Sequence, residues 1–124
     1  MKGKNKEQFE KWYFNYLNTN EFGKLIGIPY TSNKQDDLRA FLEMKFEFQI
    51  GVYLAYYDSL GIKIFTPYNG IQDFEAPPHF FYVIITDDKN LFNHHDTTDY
   101  DSRNEAYKEA FKRADEIVNK QLNS

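Results

Sequence analysis

Apolar residues recur every three or four positions near both ends of the chain, and the middle loses that rhythm. Near the start, Phe9, Trp12, Tyr13, Tyr16 and Leu17 predict one face of an amphipathic helix over about 6–18. Asn5 with Gln8 resembles a cap, and Thr19-Asn20 ends the pattern. At the far end, Ser102 and Glu105 have capping-box spacing. Behind them Tyr107, Ala110, Phe111, Ala114, Val118 and Gln121-Leu122 trace a helix face to the end of the chain. Ala106, Ala110 and Ala114 recur every four residues, which lets the helix approach a sheet or another helix closely. Its opposite face (Arg103, Lys108, Glu109, Lys112, Arg113, Glu116) reads as solvated surface.

Between these ends the pattern is mixed. Residues 21–31 carry Gly23, Gly27 and Pro29 around Leu25-Ile26 and Ile28, a brief helical turn or packed loop. Ser32 with Gln35, then Asp36, Asp37, Leu38, Phe41 and Leu42, predict a capped helix over about 34–43. From Phe46 to Ile62 there is no true alternation, because Tyr53, Ala55 and Tyr57 are as apolar as Val52, Leu54 and Tyr56. Leu60-Gly61-Ile62 has the form of a left-handed glycine stop, so a helix over about 46–60 is expected. Strands follow over 62–68, 80–86 and 91–95. Asn69 to Pro78 is a wide connection, Asp87-Asp88-Lys89-Asn90 a turn, and Asp96 to Asp101 a polar loop. Phe80 to Thr86 is apolar on both faces and is expected at the sheet centre. The order predicts an α+β fold: N-terminal helices, a three-stranded antiparallel meander and a closing C-terminal amphipathic helix.

Composition sharpens this picture in three places. The 124 residues suit a single domain over 1–124, with 1–5 expected as a disordered end. With 12 Phe, 10 Tyr and 1 Trp, and with Val52, Val83 and Val118 as the valines, the core is expected to be built from aromatic rings. Some tyrosines should then reach the surface, where they suit an interface or a ligand platform. The net charge of −4, from 15 basic and 19 acidic residues, disfavours a generic duplex binder. The basic cluster Lys2, Lys4 and Lys6 lies at the start. Cysteine is absent, and no apolar run approaches a membrane span, so a cytoplasmic protein without a membrane partner is expected.

Three stretches carry a resemblance. Gln49 to Ile62, Ser102 to Phe111 and Lys6 to Tyr13 are similar to segments of small uncharacterised proteins of Bacteroidetes-type bacteria and their phages or mobile elements. The likeness covers about a third of the chain and contains no catalytic signature. It implies a short accessory protein and brings no assigned activity with it.

Chemistry has few footholds. His94-His95-Asp96, with Asp99 and Asp101, could hold a divalent metal or supply a general acid and base. Adjacent strand residues face opposite ways, so His94 and Asp96 could share a face whereas His94 and His95 could not. His79 is the remaining histidine. The His-Glu-x-x-His helix, the Gly-x-Ser-x-Gly turn and the phosphate-binding glycine loop are absent from the sequence. The segment 96–101 also lacks the glycine of a calcium loop. Tyr53, Tyr56 and Tyr57 are the binding or interface candidates. They could stack on a nucleobase, although helical spacing more simply places two in the core and one at its edge. The leading expectation is a non-enzymatic, cofactor-free accessory protein acting on a protein partner and self-associating as a homodimer. The alternatives are a binder of single-stranded nucleic acid or a nucleotide, and a metal-dependent hydrolase using His94 and Asp96.

Overall fold

A computed structural model describes residues 1–19, 34–69, 79–86, 94–95 and 100–123. Among them are four helices: α1 (Gly3–Thr19), α2 (Lys34–Leu42), α3 (Phe46–Ser59) and α4 (Arg103–Leu122). Between α3 and α4 the described residues form five short strands: β1 (Ile62–Phe65), β2 (Tyr68–Asn69), β3 (His79–Phe80), β4 (Val83–Thr86) and β5 (His94–His95). The fold is therefore mixed α+β. No described helix is long and apolar enough to cross a membrane. The expected helical turn or loop over 21–31, Ser32, the turn at 87–90 and most of the loop at 96–101 lie outside the described residues.

The closing helix forms as its pattern predicts. Ser102 is extended and its Oγ accepts a hydrogen bond from the Glu105 amide at 3.2 Å. Ala106, Ala110 and Ala114 are all fully buried, so the small-residue stripe does bring α4 close to its neighbours. Ile117 belongs to the same face, whereas Leu122 at its end is exposed. The helix packs on α1, α3, β1 and β4.

The helix α3 explains its own ambiguity. It touches α1, α4 and β1, so apolar residues are useful around most of its circumference. Gln49, Val52, Tyr56 and Tyr57 are buried, and Phe46, Ile50, Tyr53 and Leu54 pack against the core from partly covered positions. It stops where expected: Gly61 takes φ 75°, its amide donates to the Asp58 carbonyl at 3.0 Å, and Ile62 is buried just beyond.

The core is aromatic. Phe9 meets Tyr13, Phe41, Tyr53 and Tyr56 with ring centroids 5.2–5.9 Å apart. Tyr53, Tyr57 and Tyr107 surround Phe111 at 5.4–5.9 Å. Such tilted and offset pairs add about 0.5–1.5 kcal/mol each beyond area burial.

The strands depart from a plain meander. β1, β4 and β5 pair antiparallel in that order, and a separate antiparallel ladder joins β2 to β3. The expected strand 62–68 divides at Thr66-Pro67, because proline has no N–H to continue a ladder. The expected strand 80–86 divides at Phe81-Tyr82, whose Phe81 amide turns to the Pro67 carbonyl at 3.3 Å. Phe80 pairs across to Tyr100 as well, through bonds of 2.9 and 2.7 Å. Of 91–95 the described part is His94–His95. Register sets Ile62 opposite Thr86, Lys63 opposite Ile85, Ile64 opposite Ile84 and Phe65 opposite Val83. Ile62, Ile64 and Ile84 face the helices, and on the other face Phe65 and Ile85 are exposed. β4 is thus half-buried rather than covered on both sides as its composition suggested.

The N-terminus brings a second correction. Residues 1–5 are not a loose end: α1 starts at Gly3, and Asn5 is fully buried. Gly3 takes φ 59°, and a Cβ there would come within 3.0 Å of Asn119 Oδ1. Close approach to α4 and a left-handed backbone both require glycine.

Candidate functional site

The three tyrosines proposed from α3 are divided by the packing. Tyr56 and Tyr57 have no exposed surface, so neither ring can serve as a platform for a base or a partner. They are core residues whose hydroxyls are satisfied from within. Tyr53 is half-buried, wedged between Phe9, Phe41 and Phe111, and reaches the edge of the core.

The hydroxyls of Tyr56 and Tyr57 meet Asn5, which sequence reading placed outside the helix as a cap. Tyr56 donates to Asn5 Oδ1 at 2.5 Å, and Asn5 Nδ2 donates to the Tyr57 hydroxyl at 3.3 Å and to Asp115 Oδ1 at 2.7 Å. Asn119 Oδ1 accepts from the Asn5 amide at 2.9 Å, and Asn119 Nδ2 donates to the Lys2 carbonyl and to Asp115. The Lys2 amide also donates to Asp115 at 3.2 Å. Spacing carried a signal for this network. Asn5, Phe9 and Tyr13 lie four apart, as do Phe111, Asp115 and Asn119, so each polar member extends a buried stripe by one turn.

Burial governs the acidity of these phenols. It pushes Tyr56 up to about 12, with Asp115 adding to the effect. Burial also raises Tyr57, opposed by the Asn5 hydrogen bond and assisted by Asp115, Tyr56 and Tyr53. Tyr53 is raised by burial, and Tyr13 reaches about 12 through burial, Asp37 and Tyr16. All four are neutral phenols near pH 7, suited to donating hydrogen bonds and not to nucleophilic attack. Tyr13 differs in one respect: among the described residues its buried hydroxyl has no hydrogen-bond partner.

Beside this network lies a half-open cleft of about 410 Å³ between α3, α4 and the N-terminal residues. Its size falls within the range of about 300–1,000 Å³ common for small-molecule sites. Phe46, Tyr53 and Phe111 supply aromatic walls, and Lys2, Lys108 and Lys112 stand around them. Gln49 also lines it, with Nε2 donating to the Phe41 carbonyl at 2.9 Å. Lys108 Nζ lies 5.3 Å from the centroid of Phe46, within cation–π range. Of the carboxylates here, Asp115 is held by the polar network, and Glu116 accepts from Arg113 Nη1 at 2.9 Å.

A second feature is the open side of the sheet. Phe65 is 48% exposed and Ile85 37%, on neighbouring strands, with Val83 half-buried opposite Phe65. Lys63 shares this face and pairs with Asp58 at 3.4 Å. An outward sheet face normally alternates to polar residues, so this apolar group is a departure from that pattern.

His94 and His95 pair with Ile84 and Val83 across the β4–β5 ladder, whereas Asp96 and Asp99 lie outside the described residues. His79 sits in β3, and Asp101 is exposed before α4. Among the described residues no three metal-ligating side chains converge. Comparison with protein-family models, with curated proteins and with solved structures finds no match to this chain.

Proposed function

We propose that the protein is a non-enzymatic interaction protein that works by docking, and that its open sheet face pairs with a second copy of the chain. The observation carrying this reading is the apolar outward surface of Phe65, Val83 and Ile85 where a solvent-facing sheet would present polar side chains. The accessory role in a phage or mobile element, implied by the sequence resemblance, is part of the same proposal.

Light scattering with size separation at tens of micromolar is the test. A mass twice that of the 14.8 kDa chain is expected, reverting to one chain in the double variant Phe65→Ser, Ile85→Thr. A monomeric wild type overturns the self-pairing, and a dimer unaffected by the variant moves it to another surface.

A further inference from the structure

We infer that the cleft between α3, α4 and the N-terminal residues is a binding site for a small anion carried on a flat aromatic body, such as an aryl phosphate. Two complementary halves argue for this ligand. Phe46, Tyr53 and Phe111 form an apolar aromatic wall, with Phe46 and Tyr53 tilted against the buried Phe111 at 6.0 and 5.4 Å, and the partly covered rings of Phe46 and Tyr53 offer apolar contact to a planar ring. Lys108 and Lys112 are one turn apart on the exposed rim of α4, like charges at a spacing that repels. Neither ammonium enters an ion pair among the described residues; the pair formed on α4 is Arg113 with Glu116. Lys2 adds a third cation from the N-terminal side. The lining side chains Lys2, Lys108 and Lys112 outnumber the carboxylates Asp115 and Glu116 by one, and Glu116 is engaged by Arg113, on a chain whose net charge is −4. An anionic group between Lys108 and Lys112 relieves their repulsion while its ring displaces water from the wall. A neutral aromatic would leave Lys112 without a counter-charge and Lys108 with the Phe46 ring alone, and a bare anion would leave the aromatic side chains in contact with water.

The site engages Tyr53 alone among the α3 tyrosines, and it is independent of the sheet face. Its probe is 1-naphthyl phosphate, titrated into isotope-labelled full-length protein and followed by amide NMR shifts, with 1-naphthol and inorganic phosphate as parallel arms. Saturable binding is expected, with shifts centred on residues 46, 53, 108, 111 and 112, and at least about tenfold tighter than either arm. The exchange Lys108→Glu with Lys112→Glu should weaken it by about tenfold or more, and Lys108→Ala with Lys112→Ala should weaken it in the same direction. Lys120→Glu, on α4 but away from the cleft, should leave affinity unchanged. No saturation at millimolar probe overturns the site. Equal affinity for naphthol, or unaltered binding by both double variants, overturns the anion recognition. An unchanged amide spectrum outside the cleft establishes that the variants are folded.

Discussion

One end of the molecule buries polar side chains, and the opposite side of the sheet exposes apolar ones. At the N-terminal end Asn5 is fully covered, yet its side chain is matched on every side by Tyr56, Tyr57 and Asp115. On the outer sheet face Phe65 and Ile85 keep 48% and 37% of their surface exposed although both are apolar. The contrast teaches that burial follows available partners more than polarity. A polar group is stable inside when its bonds are complete, and an apolar group stays outside when no second layer reaches it. The polar bonds of the first region are made within the chain, whereas the apolar side chains of the second are the basis of the proposed pairing.

The largest effect should come from breaking the closed region. Asn5→Ala removes the shared partner of two buried hydroxyls, and about 3 kcal/mol of stability should be lost in urea unfolding. A loss near zero would mean that water replaces the amide. Tyrosine deletions sharpen the comparison within the core. Tyr56→Phe gives up the bond to Asn5 Oδ1 and should cost about 1–2 kcal/mol. Tyr13→Phe removes a hydroxyl that has no partner among the described residues, and should be neutral or stabilising by about 1 kcal/mol. If both cost the same, the difference between satisfied and orphaned hydroxyls is not real.

Alkaline titration tests the same core without mutation. Tyr13 and Tyr56 are raised to about 12 in the fold from an ordinary value of 10.0, so the folded state holds these protons more tightly. Their contribution is complete below about pH 10 and is lost as pH rises from there toward 12. Absorbance of tyrosinate should therefore rise in two stages, with the late stage coinciding with loss of helical circular dichroism. Simple titration of all tyrosines near pH 10 would contradict the burial. Smallest of all, Phe65→Ser with Ile85→Thr should shift monomer stability by only about 0.5 kcal/mol per site, because both side chains already meet solvent.

Legibility in the sequence tracked how local each determinant was. Ser102, Glu105 and the alanine stripe lie within one helix, and each behaves as its spacing predicts. Gly61 is equally local and ends α3 by taking a left-handed backbone. The helix α3 itself was harder, because contact with α1, α4 and β1 removes the periodicity that marks a one-sided helix. Asn5 was misplaced for the opposite reason: a polar residue near a chain end reads as a cap until distant Tyr56 and Asp115 arrive to pair with it. The strands broke where Pro67 interrupts the ladder, a local signal that the apolar run around it obscured.

By itself, then, the sequence determined the helix boundaries marked by Ser102 and Gly61, the aromatic character of the core and the mixed α+β class. These depend on backbone preference and composition, which act over a few residues. Tertiary structure decided which tyrosines are core and which reaches an edge, that Asn5 is an interior residue, and that Lys2, Lys108 and Lys112 share one cleft. Those outcomes join positions up to 114 residues apart, as in the bond between Asn5 and Asn119. No local pattern encodes such meetings, because the energy that selects them arises only when the whole core closes.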